Sequence, residues 1–103
     1  QQIIGVFEVL RAPEKIWNND DSPSIYLHKL AIKEEMRGLG VGARILGVIS
    51  NWAAEEGRDY VRLDCVSSNS KLRRYYEGKG FSFRNTIYNG KVDVALYEKR
   101  INV

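Results

Sequence analysis

Apolar and polar positions along the chain fall into short blocks whose period changes. Ile3 to Leu10 is apolar and β-branched, interrupted mainly by Glu8, and predicts a strand. Arg11 to Ser24 holds both prolines, Pro13 and Pro23, with Asn18, Asn19, Asp20, Asp21 and Ser22. It predicts a long exposed loop whose large apolar residues, Ile16 and Trp17, pin it down. Ile25 to Ile32 predicts a second strand, with Tyr26, His28 and Leu30 on one face and Leu27, Lys29 and Ala31 on the other. Lys33 to Gly40 is a polar, glycine-bearing connection, after which Val41, Ile45, Ile49, Trp52 and Ala53 take up helical spacing until Gly57 stops it. Tyr60 to Val66 predicts a third strand, entered at Asp59. Ser67 to Ser70 offers a turn with several N-caps, and Lys71 to Lys79 a short helix with the stripe Leu72, Tyr75, Tyr76, ended by Gly80. Phe81 to Tyr88 and Lys91 to Arg100 predict two strands joined at Asn89-Gly90, a strong hairpin signal. The order is β-β-α-β-α-β-β, a mixed-sheet α/β (α+β) layout in a single domain over 1–103 without internal repeats.

Composition narrows the classes. At 103 residues the chain is one domain or less, long enough to bury about two thirds of its unfolded surface. Hydrophobic residues at 44% and charged residues at 28% are ordinary for a globular domain. No run approaches the ~20 apolar residues of a membrane helix, and no signal-peptide pattern stands at the start. The single cysteine, Cys65, rules out an internal disulfide framework and points to a reducing, cytoplasmic setting. Sixteen Lys and Arg against 13 Asp and Glu leave a net charge of +3. That suits an anionic ligand without the basic, aromatic-interleaved block expected of a nucleic-acid binder. The chain opens on Gln1, without Met, just before a strand, so a processed or truncated start is expected.

Arg37-Gly38-Leu39-Gly40-Val41-Gly42 lies between a strand and an amphipathic helix. Glycines let the backbone turn tightly against a ligand, and free N–H groups at a helix start favour phosphate oxygens, to which Arg37 can add a charge-assisted bond. Together they make a pyrophosphate site. The same letters, Gly38, Gly40 and Ala43, also fit the dinucleotide fingerprint, with Asp64 as ribose acid. Context opposes that reading: Lys33 to Arg37 separate the strand from the glycines, and no doubly wound sheet begins before them. No Gly-Lys-Ser/Thr follows, which excludes a Walker-type loop. A glycine-rich turn without a ligand is the plain alternative.

With these residues in view, the chain resembles the GNAT superfamily of N-acetyltransferases. Its first motif, a strand, a short connection, then Arg/Gln-x-x-Gly-x-Gly/Ala opening a helix, is matched by Arg37, Gly40 and Gly42, with Gly38 in a common Arg-Gly start. Its second, a strand, an Asn, a short Tyr-bearing helix and Gly-Phe, is matched by Leu63-Asp64, Asn69, Tyr76 and Gly80-Phe81. The resemblance runs from about Ile3 to the end. Family members usually carry a further strand, two helices and another strand ahead of the one begun at Ile3. Those elements form a wall of the acceptor site, so a complementing N-terminal segment or a homo-oligomer is expected.

The resemblance implies an acyltransferase moving the acetyl group of acetyl-coenzyme A to a primary amine of a small molecule or protein by direct attack, with no metal. It implies that backbone groups of Leu30, Ala31 and Ile32 pair with the pantetheine arm, that the loop Arg37, Gly38, Leu39, Gly40, Val41 and Gly42 holds the pyrophosphate, that Asn69 lies near the coenzyme, and that Tyr76 protonates the departing sulfur. From the residues alone, Tyr76 with Leu72 at i, i+4 is equally a core position, and Asn69 equally a helix cap. An amine attacks only when uncharged, and a lysine-like amine has a pKa near ~10.4, so a base is needed. His28, the chain's one histidine, is the candidate, with a core or surface role as the alternative. Tyr26 stands on the same face as a further candidate to hold a water. Cys65 lacks an evident His and acid pair and reads as a structural thiol, with Lys71, Arg73 and Arg74 as a solvated helix face. A non-catalytic acyl-coenzyme A sensor is the competing function.

Overall fold

The structure is a computed structural model describing residues 5–12, 14–17, 20, 22–32, 38 and 40–101. Its elements are β1 (Gly5–Leu10), a 3-10 turn (Lys15–Trp17), β2 (Ser24–Ile32), α1 (Val41–Glu55), β3 (Tyr60–Val66), α2 (Ser70–Gly78), β4 (Ser82–Tyr88) and β5 (Asp93–Arg100). The order is the one the hydrophobic pattern predicts. Residues 1–4, including Ile3, lie outside the described residues.

One five-stranded sheet carries the fold in the order β1-β2-β3-β5-β4. β2 and β3 are parallel, joined by the α1 crossover, and the remaining neighbours are antiparallel. Alternation along β2, β3 and β5 sends Ile25, Leu27, Val61, Leu63, Cys65, Ala95 and Tyr97 to the face covered by α1 and α2, where Leu46, Ile49, Ala53, Tyr76 and Phe81 complete the main core. Burying a side chain such as Ile49 contributes about 1.5–3 kcal/mol. The helix turns to the sheet slightly off the expected stripe: Leu46 is buried, while Ile45 and Trp52 pack at its margin.

The opposite face has a smaller cluster of Trp17, Tyr26, Val94 and Leu96. Trp17 is buried through the 3-10 turn, so the polar loop is pinned as its apolar pair predicts. At its centre lies Arg62, fully buried. Its Nη2 meets Asp20 Oδ2 at 2.8 Å, its Nε meets Glu98 Oε1 at 3.1 Å, and its guanidinium sits 4.5 Å from the Trp17 ring centroid.

Two glycines end helices in the left-handed region, Gly57 at φ 68° and Gly80 at φ 92°. The β4–β5 hairpin differs from the tight two-residue turn that Asn89-Gly90 suggests. Tyr88 pairs with Asp93, leaving a loop of Asn89 to Val92 in which Asn89 Oδ1 accepts from the N–H groups of Lys91 (2.9 Å) and Val92 (3.0 Å). The asparagine side chain here satisfies the wider loop's own amides instead of shaping a two-residue turn.

Candidate functional site

The parallel pairing of β2 and β3 stops at Leu27 and Leu63, although β2 runs on to Ile32 and β3 to Val66. Both strands stay paired on their outer sides, β2 with β1 as far as Gly5 and Ile32, β3 with β5 as far as Val66 and Val94. The sheet therefore splits at the C-terminal ends of its two parallel strands. Between the pairs Val6–Ala31 and Glu8–His28 the register shifts, placing an extra residue on β2. Such a bulge bends its strand. The backbone of Leu30, Ala31 and Ile32 lines the open edge, with peptide groups that no β3 ladder occupies.

α1 follows β2 and runs back along the sheet, so its N-terminus lies at the split end. Gly38 (φ 82°) and Gly40 (φ 78°) both take the left-handed conformation that glycine tolerates. Gly40 is the N-cap and supplies no side-chain acceptor, and the first intrahelical bond is Arg44 N–H to the Gly40 carbonyl. The N–H groups of Val41, Gly42 and Ala43 thus have no partner within the helix. Arg37 and Leu39 lie outside the described residues. Gly42 carries a second constraint, since a Cβ there would stand 3.0 Å from the Tyr75 hydroxyl. Tyr75, which spacing puts on the apolar stripe of the helix with Tyr76 and makes an alternative hydroxyl donor to it, is 38% exposed, and its hydroxyl reaches across to the start of α1.

α2 also begins at the split end. Asn69 Oδ1 accepts from Leu72 N–H at 3.1 Å, an N-cap that leaves its amide NH2 without a hydrogen bond among the described residues. Tyr76 lies in the core edge-on to Tyr75 and Phe81, with ring centroids at 5.8 and 5.9 Å. Burial above all, then the charges of Cys65, Tyr75 and Asp64, pushes the Tyr76 hydroxyl up to about 12. It is neutral at ordinary pH and able to donate. Core position and hydroxyl donor are compatible here. Burial likewise raises the Cys65 thiol, which keeps it from being a thiolate nucleophile. Arg73 is not part of a free basic face: its Nε donates to Tyr97 Oη at 3.0 Å and its Nη1 to the Ser67 carbonyl at 3.0 Å. Lys71 and Arg74 stay exposed.

On the face opposite the helices, His28 and Asp64 are the first residues of β2 and β3 beyond the last paired couple. His28 Nε2 lies 2.5 Å from Glu14 Oε2, a residue of the loop pinned by Trp17. Burial raises the Asp64 carboxyl, and the nearby His28 opposes that shift. Glu14 was not singled out in the sequence, and a glutamate in a loop gives no sign of its partner. The sequence offers Asp64 as a ribose acid and as part of the Leu63-Asp64 strand of the second motif, and neither reading gives it this neighbour. The alternation of Arg62 and Asp64 with apolar Val61, Leu63 and Cys65 is the signal that one face of β3 is polar.

The sequence profile of the acetyltransferase (GNAT) family matches residues 1–81. A curated protein, the uncharacterized N-acetyltransferase YesJ of Bacillus subtilis, is 31% identical over 106 residues, an alignment covering 98% of this chain and 57% of that protein. The chain therefore spans a little over half the length of the curated relative it matches. Among solved structures, a GNAT family acetyltransferase from Listeria monocytogenes superposes with a TM-score of 0.80 at 23% identity, over 96% of this chain and 58% of the other. A putative streptothricin acetyltransferase from Bacillus anthracis, solved in complex with acetyl coenzyme A, superposes with a TM-score of 0.78 at 22% identity, over 98% and 57%.

Proposed function

The chain belongs to the acetyltransferase (GNAT) family, and from that premise we propose that it binds acetyl-coenzyme A at the split in its sheet and transfers the acetyl group directly to a primary amine. The observation that carries the reading is the meeting, at one end of the sheet, of an unpaired strand edge with a helix start whose N–H groups are free.

Each part fits a different portion of the coenzyme. The first turn of α1, with left-handed Gly38 and Gly40 holding the backbone open, offers its N–H groups and the positive end of its dipole to a pyrophosphate. The described sheet agrees with Leu30, Ala31 and Ile32 pairing with an amide-bearing arm in the manner of an added strand. Asn69 has its NH2 to spare for the same ligand.

The chemistry falls to residues on either side of the sheet. In this reading His28, held at Nε2 by Glu14, takes the amine's proton. Tyr76, from the helix side, donates to the sulfur in this reading. A hydroxyl at about 12 does not yield its proton outright to a thiolate whose acid form lies near ~8.5. Its work is hydrogen bonding to sulfur as negative charge develops there, while the proton released by the attacking nitrogen completes the exchange. That role needs a neutral hydroxyl in a dry setting, which burial among Tyr75, Phe81 and Tyr97 supplies.

Gly40→Asp tests the site. Nothing lies within 4 Å of a Cβ at Gly40, and aspartate tolerates the left-handed region better than most residues, so the fold should survive. A carboxylate at the helix start should then abolish acetyl-coenzyme A binding in calorimetry. Unchanged affinity would remove the phosphate site from α1.

A further inference from the structure

We propose that Arg73, Tyr97 and Glu77 form a clamp that fixes the height of α2 against the sheet and so positions the Tyr76 hydroxyl. The inference rests on the acetyltransferase reading for what Tyr76 does, and on separate geometry for the clamp itself.

Tyr97 lies on β5, fully buried on the helix face, with Leu63 and Phe83 as its cross-strand partners. Leu63 belongs to the last couple that joins β2 to β3, so Tyr97 stands level with the start of the split. Its ring faces the Tyr76 ring, tilted by 46° with centroids 6.4 Å apart. Its hydroxyl reaches two residues of α2 that are one turn apart. Arg73 Nε donates to it at 3.0 Å, and it donates to Glu77 Oε2 at 2.6 Å. Arg73, Tyr76 and Glu77 fall at i, i+3 and i+4, so the three share one side of the helix. The second arm of Arg73 ties in more of the fold. Its Nη1 donates to the Ser67 carbonyl at 3.0 Å, and its guanidinium lies 4.9 Å from the Phe83 ring centroid. One arginine therefore joins α2 to the turn after β3, to β5 and to β4.

Packing alone would not set this height. α2 is nine residues long and has one buried residue, Tyr76. A helix so short is marginal by itself and depends on tertiary contacts. Apolar burial is non-directional and lets a helix slide over the rings beneath it, whereas a hydrogen bond fixes both distance and angle. Among the described residues, both hydrogen bonds of the Tyr97 hydroxyl go to α2 and none to the sheet. A phenylalanine at this position would fill the same space, so the hydroxyl serves the helix and not the core. A donor that acts on developing charge needs such fixing, because a small misplacement costs rate steeply.

A pH titration of the ζ-carbon NMR signals of the six tyrosines reads the clamp without any substrate. In the wild-type chain Tyr76, held at about 12 by burial above all, should stay neutral to roughly pH 11. Tyr97→Phe removes one oxygen and should bring Tyr76 ionisation down toward the ordinary tyrosine value near ~10 as α2 lifts. Glu77→Ala should do the same in part, and Glu77→Gln, whose amide oxygen still accepts, should not. Glu77 is exposed, so these two variants decide the question even where Tyr97→Phe fails to fold. A clamp that only adds stability would lower the urea midpoint and leave the Tyr76 titration where it is, and that result overturns the proposal. Kinetics is read separately. Tyr97→Phe should lower kcat about tenfold with little change in KM for acetyl-coenzyme A, and should cost nothing further in a Tyr76→Phe background. An equal loss in both backgrounds also overturns the clamp. A shifted titration with unchanged turnover supports the clamp and removes Tyr76 from the transfer step. A shifted titration in a chain that binds no acetyl-coenzyme A in calorimetry supports the clamp and overturns the acetyltransferase reading alone.

Discussion

Tyr76 and Arg62 show two ways in which a buried polar side chain earns its position. Tyr76 keeps its ring in the core and has no hydrogen bond to another described residue, as a group kept for a ligand would be. Tyr76→Phe should therefore leave the fold and coenzyme affinity nearly unchanged while lowering kcat by roughly 10²-fold, the scale of one lost donor in the transition state. Steady-state kinetics beside calorimetry checks it, and wild-type turnover would return Tyr76 to packing alone. Arg62 is fully committed, to Asp20, Glu98, the Tyr26 hydroxyl and the Trp17 ring. Replacing it with methionine keeps bulk but leaves Asp20 with Ser22 alone and Glu98 with one of its two arginine partners. Since Arg84 still meets Glu98, the loss should fall at the lower end of the range for a broken buried pair, about 3 kcal/mol in urea denaturation. Tyr76 could be singled out from the sequence as a candidate because its spacing to Gly80-Phe81 is local. Arg62 was not, because its partners are 36 and 42 residues away in the chain.

Among the elements, α1 is held at both ends by unlike devices. Its start is left uncapped by Gly40, consistent with an anion site. Its C-terminal cap, Glu56, is an acid where the helix dipole disfavours one. Arg11, just beyond β1, offsets this with a two-pronged contact, Nε to Oε1 at 2.8 Å and Nη2 to Oε2 at 2.7 Å, and Arg58 adds a bond at 2.7 Å. These bonds, Arg11's first, lower the Glu56 carboxyl from 4.5 to about 2. A lowered folded-state value means that the tie stabilises the fold fully above about pH 4.5 and is lost as pH falls toward 2. The pair is exposed, so the effect on stability is small. A carboxyl-carbon NMR titration should place Glu56 near 2, with Arg11→Gln moving it back toward 4.5. Both helices and their glycine stops follow from spacing and composition. The width of the β4–β5 loop does not, since Asn89 serves a two-residue or a four-residue turn equally well until the strands set their register.

At the scale of the molecule, β1 and β4 are the outer strands of the sheet among the described residues. β4 is exposed along nearly its whole length, with Phe83 at 45% and Tyr88 at 64% exposure. Long apolar edges invite pairing with another chain unless charges blunt them. Light scattering over a concentration series should show self-association, and Tyr88→Lys should reduce it without changing the thermal midpoint by more than a few degrees. A concentration-independent monomer would show that the hairpin's own charges, Arg84 and Lys91, protect the edge. The net charge of +3 adds a modest, salt-screened attraction for anions.

Periodicity by itself determined the order of elements, because side-chain alternation and helical spacing are properties of neighbouring residues. Turn chemistry marked the helix ends, and the glycine loop with the Tyr-to-Gly-Phe spacing marked the family. Where β2 parts from β3 is a matter of tertiary structure alone, since the last ladder bond depends on twist and on a bulge that no local pattern announces. The same holds for the company of His28. Glu14 reaches it from a loop fourteen residues earlier, and the register of β2 on β3 puts Asp64 at the equivalent position of the neighbouring strand. Long-range pairing, not residue type, decided which of the chain's many charges became a cluster.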